Sequence, residues 1–229
     1  MGTGLEASDF ARIAENGFGD PQNSYAFSMH WFEDELYVGT VRNMLAMINF
    51  APPPHPTRLD PWPVRAPRNL YELDLHAQVW RYRPADGRWE RFYTSPTIAR
   101  DDAEPGPRDI GYRHMTLFQG PRDPAPALYI SSAASNSRGL GAHILRYRGA
   151  DRPVTASRPV LGDREVSTLR TLRAFRDRLY MAPTGKGRAW NASGYPCVYE
   201  TRDPLAGRWR AVSPPFFGDE RNEALYCMA

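Results

Sequence analysis

Three stretches decide the fold when laid over one another: SYAFSMHWFEDELYVGT at 24–40, IGYRHMTLFQGPRDPAPALYISS at 110–132 and STLRTLRAFRDRLYMAPT at 167–184. Each runs through apolar residues to a phenylalanine, turns, and continues as a second strand ending in small residues. Phe32, Phe118 and Phe175 align, as do Tyr37, Tyr129 and Tyr180. After a loop of variable length comes a second hairpin: QVWRYRPADGRWERFY at 78–93, HILRYRGADRPVTAS at 143–157 and CVYETRDPLAGRWRAV at 197–212. The turns PADG and DPLAG carry the Pro, Asp and Gly chemistry of tight β-turns, and the flanking Tyr, Trp and Val residues suit a pleated, half-buried surface. Four strands per unit, three times over, predict an all-β chain. The best helical stretch, Asn69 to His76, alternates in LYELDLH and reads equally well as a strand extension.

A four-stranded antiparallel sheet cannot bury both faces alone, so such units are expected to pack side by side as blades of a β-propeller. The expected blades are 24–95, 108–158 and 165–213, within one domain of 1–229. The unit also repeats at its edges, because FGDPQN from Phe18 returns as FGDERN from Phe217, 199 residues later. Phe10 then falls on Trp209 and Met29 on Met228. In that register 9–14 is expected to be the outer strand of one incomplete blade and 223–229 the inner strand of another. The ring thus reads as cut open at its C-terminus, and unpaired blade edges invite self-association.

The LYVGT, VWRYRPADGRW and DPLAGRW elements resemble a variant of the kelch-type bacterial β-propellers, in which a strand ending in small residues precedes a Tyr and Trp pair. The resemblance spans nearly all of residues 9–229, with Gly39-Thr40, Ser131-Ser132 and Ala182-Pro183 in place of the kelch diglycine. It implies a ring of six or seven blades, with an N-terminal strand completing the last one.

Composition narrows the function classes. The net charge is +3, and the cations are 28 arginines and the single Lys186, interspersed with acids such as Asp101, Asp102 and Glu104 instead of forming a block. A GC-rich genome produces that skew, and no nucleic-acid-binding pattern accompanies it, so nucleic acid is not an expected partner. No apolar run reaches the roughly 20 residues of a membrane span, and MGTGLEASDF has no signal-peptide pattern, so a soluble, cytoplasmic protein without membrane association is expected. Cys197 and Cys227 form no ligand spacing, nor do His30, His55, His76, His114 and His143, so no metal and no cofactor is expected.

If strands run alternately down and up, the long loops 41–77, 133–142 and 184–196 share one face, where recognition is expected. The first of these holds seven prolines between Pro52 and Pro67, together with Met44, Met47, Ile48, Phe50 and Trp62, and reads as a cap or an arm. The candidate ligand-binding residues are Arg113, His114 and Arg170 on first strands, Asn136 and Arg138 in the second loop, and Lys186 and Trp190 in the third. Arg113 and Arg170 hold the position of Phe27 and Tyr226 in the other units, and two guanidiniums there could clamp a carboxylate or phosphate. They could equally pair with Asp109, Asp163 or Glu165. Asp20, Asn23, Asp219 and Asn222 suggest Asx turns ahead of a strand. No nucleophile and base pair, phosphate loop or metal cluster is legible, which favours a non-enzymatic module binding a protein or carbohydrate. The alternatives are a propeller-type lyase or glycoside-active enzyme using Arg113, Arg170 and His114, and a fragment of a longer propeller.

Overall fold

The computed structural model describes residues 4–44, 72–100, 103–134, 141–150, 152–159, 161, 166–185, 196–222 and 224–228. The first repeat folds as β1 (Asn23–Phe32), β2 (Glu35–Arg42), β3 (Gln78–Arg83) and β4 (Arg88–Thr94). A hairpin of β5 (Thr97–Arg100) and β6 (Ala103–Pro107) follows, then β7 (Asp109–Phe118), β8 (Ala127–Ala134), β9 (Ile144–Tyr147) and β10 (Val154–Ser157). The third repeat is β11 (Val166–Phe175), β12 (Arg178–Gly185), β13 (Tyr199–Thr201) and β14 (Arg210–Ala211). Each repeat is an antiparallel meander in which consecutive strands pair. Helical turns among the described residues are short 3-10 segments, such as Asn16–Gly19 and Pro215–Gly218.

The three first strands share two register shifts, and the second of them falls at the candidate arginines. In β1 the pairing passes from Ala26↔Thr40 to Ser28↔Gly39, so Phe27 is the extra residue of a β-bulge. Arg113 is the extra residue between Tyr112↔Ser132 and His114↔Ser131, and Arg170 between Leu169↔Pro183 and Thr171↔Ala182. Each bulge lies five residues before the aligned phenylalanine. A bulge resets the period-2 alternation, which is how Leu169 and Leu172 both reach the core.

The meanders stand side by side, joined by the single pairs Val41↔Gly111 and Thr168↔Ala133. Between the first and second lie Phe32, Tyr37, Val79, Met115, Leu128, Ile130, Leu145 and Tyr147. Phe118, Tyr129, Ile144, Leu169, Leu172, Leu179 and Met181 fill the space between the second and third. Burying each such side chain stabilises the fold by about 1.5–3 kcal/mol, so these two seams hold the array together.

The array is all-β and mostly antiparallel, but it does not close into the ring expected of a propeller. Closure would have to cover the outer faces of the first and third meanders. Met115 is 3% exposed in the middle of the array, whereas its first-meander equivalent Met29 is 60% exposed. Phe118 is 5% exposed, and its third-meander equivalent Phe175 is 59%.

The edge repeat holds in detail. Gly17, Phe18 and Gly19 have φ of 61, 58 and 82°, and Phe216, Phe217 and Gly218 have 57, 52 and 82°. Asn23 Nδ2 donates to Gly17 O at 2.9 Å, as Asn222 Nδ2 does to Phe216 O at 2.9 Å. The expected Asx turns are present, because Gln22 N donates to Asp20 Oδ1 and Arg221 N to Asp219 Oδ1. Two expectations for the edges differ from the structure. Within 9–14, the backbone after the 3-10 turn Ala7–Asp9 is irregular and not strand, with Ile13 O accepting from Trp89 Nε1 at 2.6 Å. Residues 224–228 form no strand. The sequence of 100–109, with Asp101-Asp102 and two prolines, reads as a loop, yet most of its described residues belong to the β5–β6 hairpin.

Candidate functional site

The sequence candidates separate into two groups. Asn136, Arg138, Lys186 and Trp190, like 45–71 of the Pro-rich insertion, lie outside the described residues. Arg113, His114 and Arg170 lie on the first strands, and the structure brings the two arginines into one row with Phe27 and Tyr226.

In that row the Arg113 guanidinium carbon lies 4.6 Å from the centre of the Phe27 ring. Arg170 stands 4.0 Å from the ring of Tyr226. Each aromatic therefore supports one guanidinium, a contact worth about 0.5–2 kcal/mol depending on exposure. Tyr25 stacks on Phe27 at 5.9 Å with ring planes 8° apart, which extends the aromatic side of the row. Arg113 also donates to Thr168 Oγ1 at 3.4 Å, bridging the second and third first strands.

Neither arginine has a carboxylate partner among the described residues. Asp109, a possible counter-ion on sequence grounds, is fully buried elsewhere: it accepts from Arg108 Nη1 at 3.1 Å and contacts His143 Nε2 at 2.8 Å. Asp163 and Glu165 lie outside the described residues. Arg170 is only 7% exposed, and its Nε and Nη2 have no hydrogen-bond partner among the described residues. Burial, reinforced by the charge of Arg170, pushes the Arg113 pKa down to about 10, with Tyr226 pulling the other way. Burial likewise lowers Arg170. Two positive charges, one buried and one partly buried, without an acid between them among the described residues are an unbalanced arrangement, which an incoming anion would relieve.

His114 follows Arg113 directly. Burial first, then the charges of Arg173 and His30, lower its pKa, so it stays neutral near pH 7 and adds no positive charge to the row. Sequence reasoning assigns no role to Phe27 and Tyr226, although it places them at the arginines' position. The signal that would have included Phe27 is the shared bulge, which gives it, Arg113 and Arg170 a common place on their strands, whereas Tyr226 reaches the row from the 224–228 segment, which is not a strand.

Two clefts open elsewhere. One, of about 570 Å³, lies between Arg12, Ile13 and Glu15 on one side and Phe18, Trp80 and Trp89 on the other. Phe18 stacks on Trp80 at 5.0 Å and Trp89 leans on Phe18 at 4.8 Å, so these rings largely satisfy one another. The other, of about 590 Å³, is lined by Asp74, His76, Gln78 and Thr97. His76 spans Asp74 at 2.7 Å and Thr97 at 2.9 Å there. Arg42, buried beside it, is held by Asp20 at 2.7 Å and Asp74 at 3.0 Å, so its charge is balanced as that of Arg170 is not. Among the described residues no three His, Cys, Asp or Glu side chains gather to hold a metal ion, and no helix is long and apolar enough to cross a membrane.

No family model matches the chain, and no curated protein matches it in sequence. Among solved structures, an α-L-arabinofuranosidase from Lactobacillus brevis is similar with a TM-score of 0.38 and 8% identity. The match takes in 84% of this chain and 55% of that one, so the chain spans about half the length of the enzyme it matches.

Proposed function

We propose that this chain is a non-catalytic recognition module, built from kelch-like blades of a β-propeller, whose protein or glycan ligand docks on the row formed by Phe27, Arg113, Arg170 and Tyr226. The observation that carries the reading is the shared bulge, which gives Phe27, Arg113 and Arg170 the same place on three neighbouring first strands. Bulges re-aim side chains at functional places, and a rigid sheet holds them there with little further loss of entropy on binding. Aromatic rings and arginines together offer flat apolar contact and directional donors, the chemistry enriched where ligands are held most tightly. The propeller part of the reading is supported by the uncovered faces of the first and third meanders, which repeat the faces buried between neighbours.

Catalysis is the weaker reading because the row contains no carboxylate, hydroxyl nucleophile or charged histidine to move a proton. The test is a surface-immobilised panel of neutral glycans, uronate-bearing glycans and acidic peptides, probed with the wild-type chain and with Arg113→Met. Saturable binding that weakens at least tenfold in the variant, with no new reducing ends released, supports the module. Release of reducing ends that stops in Arg113→Met would establish an enzyme instead.

A further inference from the structure

The geometry points to a carboxylate as the group this row receives, held by the Nε and Nη2 edge of Arg170 and uncovered when the Tyr226 ring swings aside. The inference rests on the recognition reading and specifies its chemistry. The free donors of Arg170 are not an arbitrary pair. Nε and Nη2 form one side of the planar guanidinium, where two parallel N–H bonds match the two oxygens of a carboxylate. Both atoms are sealed from solvent and unbonded among the described residues. A buried donor left unsatisfied loses its hydration without replacement, so satisfying two of them favours a ligand that can accept from both.

The Tyr226 ring stands against the same guanidinium. It lies 4.0 Å from the Arg170 guanidinium carbon, yet the residue is 62% exposed, and the 224–228 segment that carries it has no strand pairing. Moving the ring therefore breaks one cation–π contact and no sheet ladder. Phe27, which holds the same position against Arg113, is the bulged residue of a strand whose flanking residues Ala26 and Ser28 pair with β2, and it is partly buried. The two aromatics thus differ in role: Phe27 is a fixed wall, and Tyr226 is a movable cover. Arg113, unopposed by any acid among the described residues, adds a second positive charge to the same place.

The probe is acetate, compared with chloride and sulfate at equal ionic strength, and read as the shift in thermal midpoint and by titration of a Tyr226→Trp variant whose indole reports the cover. Acetate is expected to raise the midpoint above chloride and sulfate, and to change the fluorescence of the reporter. Tyr226→Ala should bind acetate several-fold more tightly, because the cover no longer competes, and Arg170→Met should lose the response while still melting cooperatively. An equal response to acetate and chloride in both wild type and Tyr226→Ala overturns the inference. So does an equal response to sulfate, or weaker acetate binding in Tyr226→Ala. If acetate fails while the panel ligand still binds the first-strand row, the carboxylate assignment falls and the recognition reading stands. Loss of panel binding as well removes both.

Discussion

Arg113 and Phe27 meet with the guanidinium carbon 4.6 Å from the ring centre, each the extra residue of a bulge at the same place in its own first strand. A repeat that produces the same backbone defect three times places unlike side chains in one row, and the chemistry of the row follows from which residue each repeat supplies.

Charge in this row is predicted to cost stability when no ligand is bound. Arg113 is brought down to about 10 by burial and by Arg170, so it stays charged at neutral pH but its charge is less favourable in the folded chain than in the unfolded one. For a base whose folded pKa is lowered, the penalty is fully present below the folded value and disappears as pH rises towards the higher unfolded value. Arg113→Met should therefore keep or raise stability at pH 7, by about 1 kcal/mol, while weakening ligand binding. Chemical denaturation with and without ligand measures both, and a loss above 2 kcal/mol without ligand would contradict the picture.

Gly39→Ala should loosen the joint between the first and second meanders. A Cβ at Gly39 would stand 2.5 Å from Ser28 Oγ and 2.7 Å from the Tyr112 carbonyl oxygen, and Ser28 Oγ already donates to that oxygen at 2.8 Å. Backbone atoms cannot turn away as a side chain can, so overpacking should cost about 1–3 kcal/mol in denaturant unfolding. An unchanged midpoint would show that the two sheets separate more easily than their packing implies.

Two aligned tyrosines should respond differently to loss of the hydroxyl. Tyr129 donates to Asp123 Oδ2 at 2.5 Å, and that buried carboxylate also accepts from Arg146 at 2.7 Å and from Gly120 N at 3.0 Å. Tyr37 donates at 2.9 Å to Glu35, which is partly exposed and held by Arg81 and Arg83. Tyr129→Phe should cost about 1–3 kcal/mol and Tyr37→Phe less than about 1 kcal/mol, because water can replace the lost donor only at Glu35. Thermal denaturation of the two variants side by side decides it.

Acid should destabilise the protein in two stages. His114 has a lowered pKa, so between its folded value and 6.5 the unfolded chain binds the extra proton and stability falls as pH drops. Glu35 is lowered as well: burial would raise it, but the hydrogen bonds from Tyr37 and Arg83 and the charges of Arg81 and Arg83 prevail. Its contribution is present above about 4.5 and is lost as pH falls through its folded value. His114→Gln should flatten the stability profile between pH 7.5 and 5.5 and leave the lower stage in place.

The hairpins were legible because their signals are local: Phe32 to Tyr37, Phe118 to Tyr129 and Phe175 to Tyr180 each frame one turn. The β5–β6 hairpin was not, because TIARDDAEPGP carries Asp101-Asp102 and two prolines and reads as a loop. Pro107 nevertheless ends the hairpin, where a missing N–H is tolerated. The bulges could have been read from parity, since buried Leu169 and Leu172 are three apart in a strand whose faces repeat every two residues. The position of Arg113 and Arg170 was thus visible in the alignment, but their lack of a counter-ion among the described residues was not. That depends on Asp109 turning to Arg108 and His143, a long-range contact the alignment does not encode.

The most direct test of the account is hydrogen–deuterium exchange with and without a saturating panel ligand. Binding on the first-strand row predicts slower exchange in peptides covering 23–32, 109–118, 166–175 and 224–228, with the outer strands 88–94, 154–157 and 210–211 unchanged. Protection confined to those outer strands, with the first strands unaffected, would contradict it.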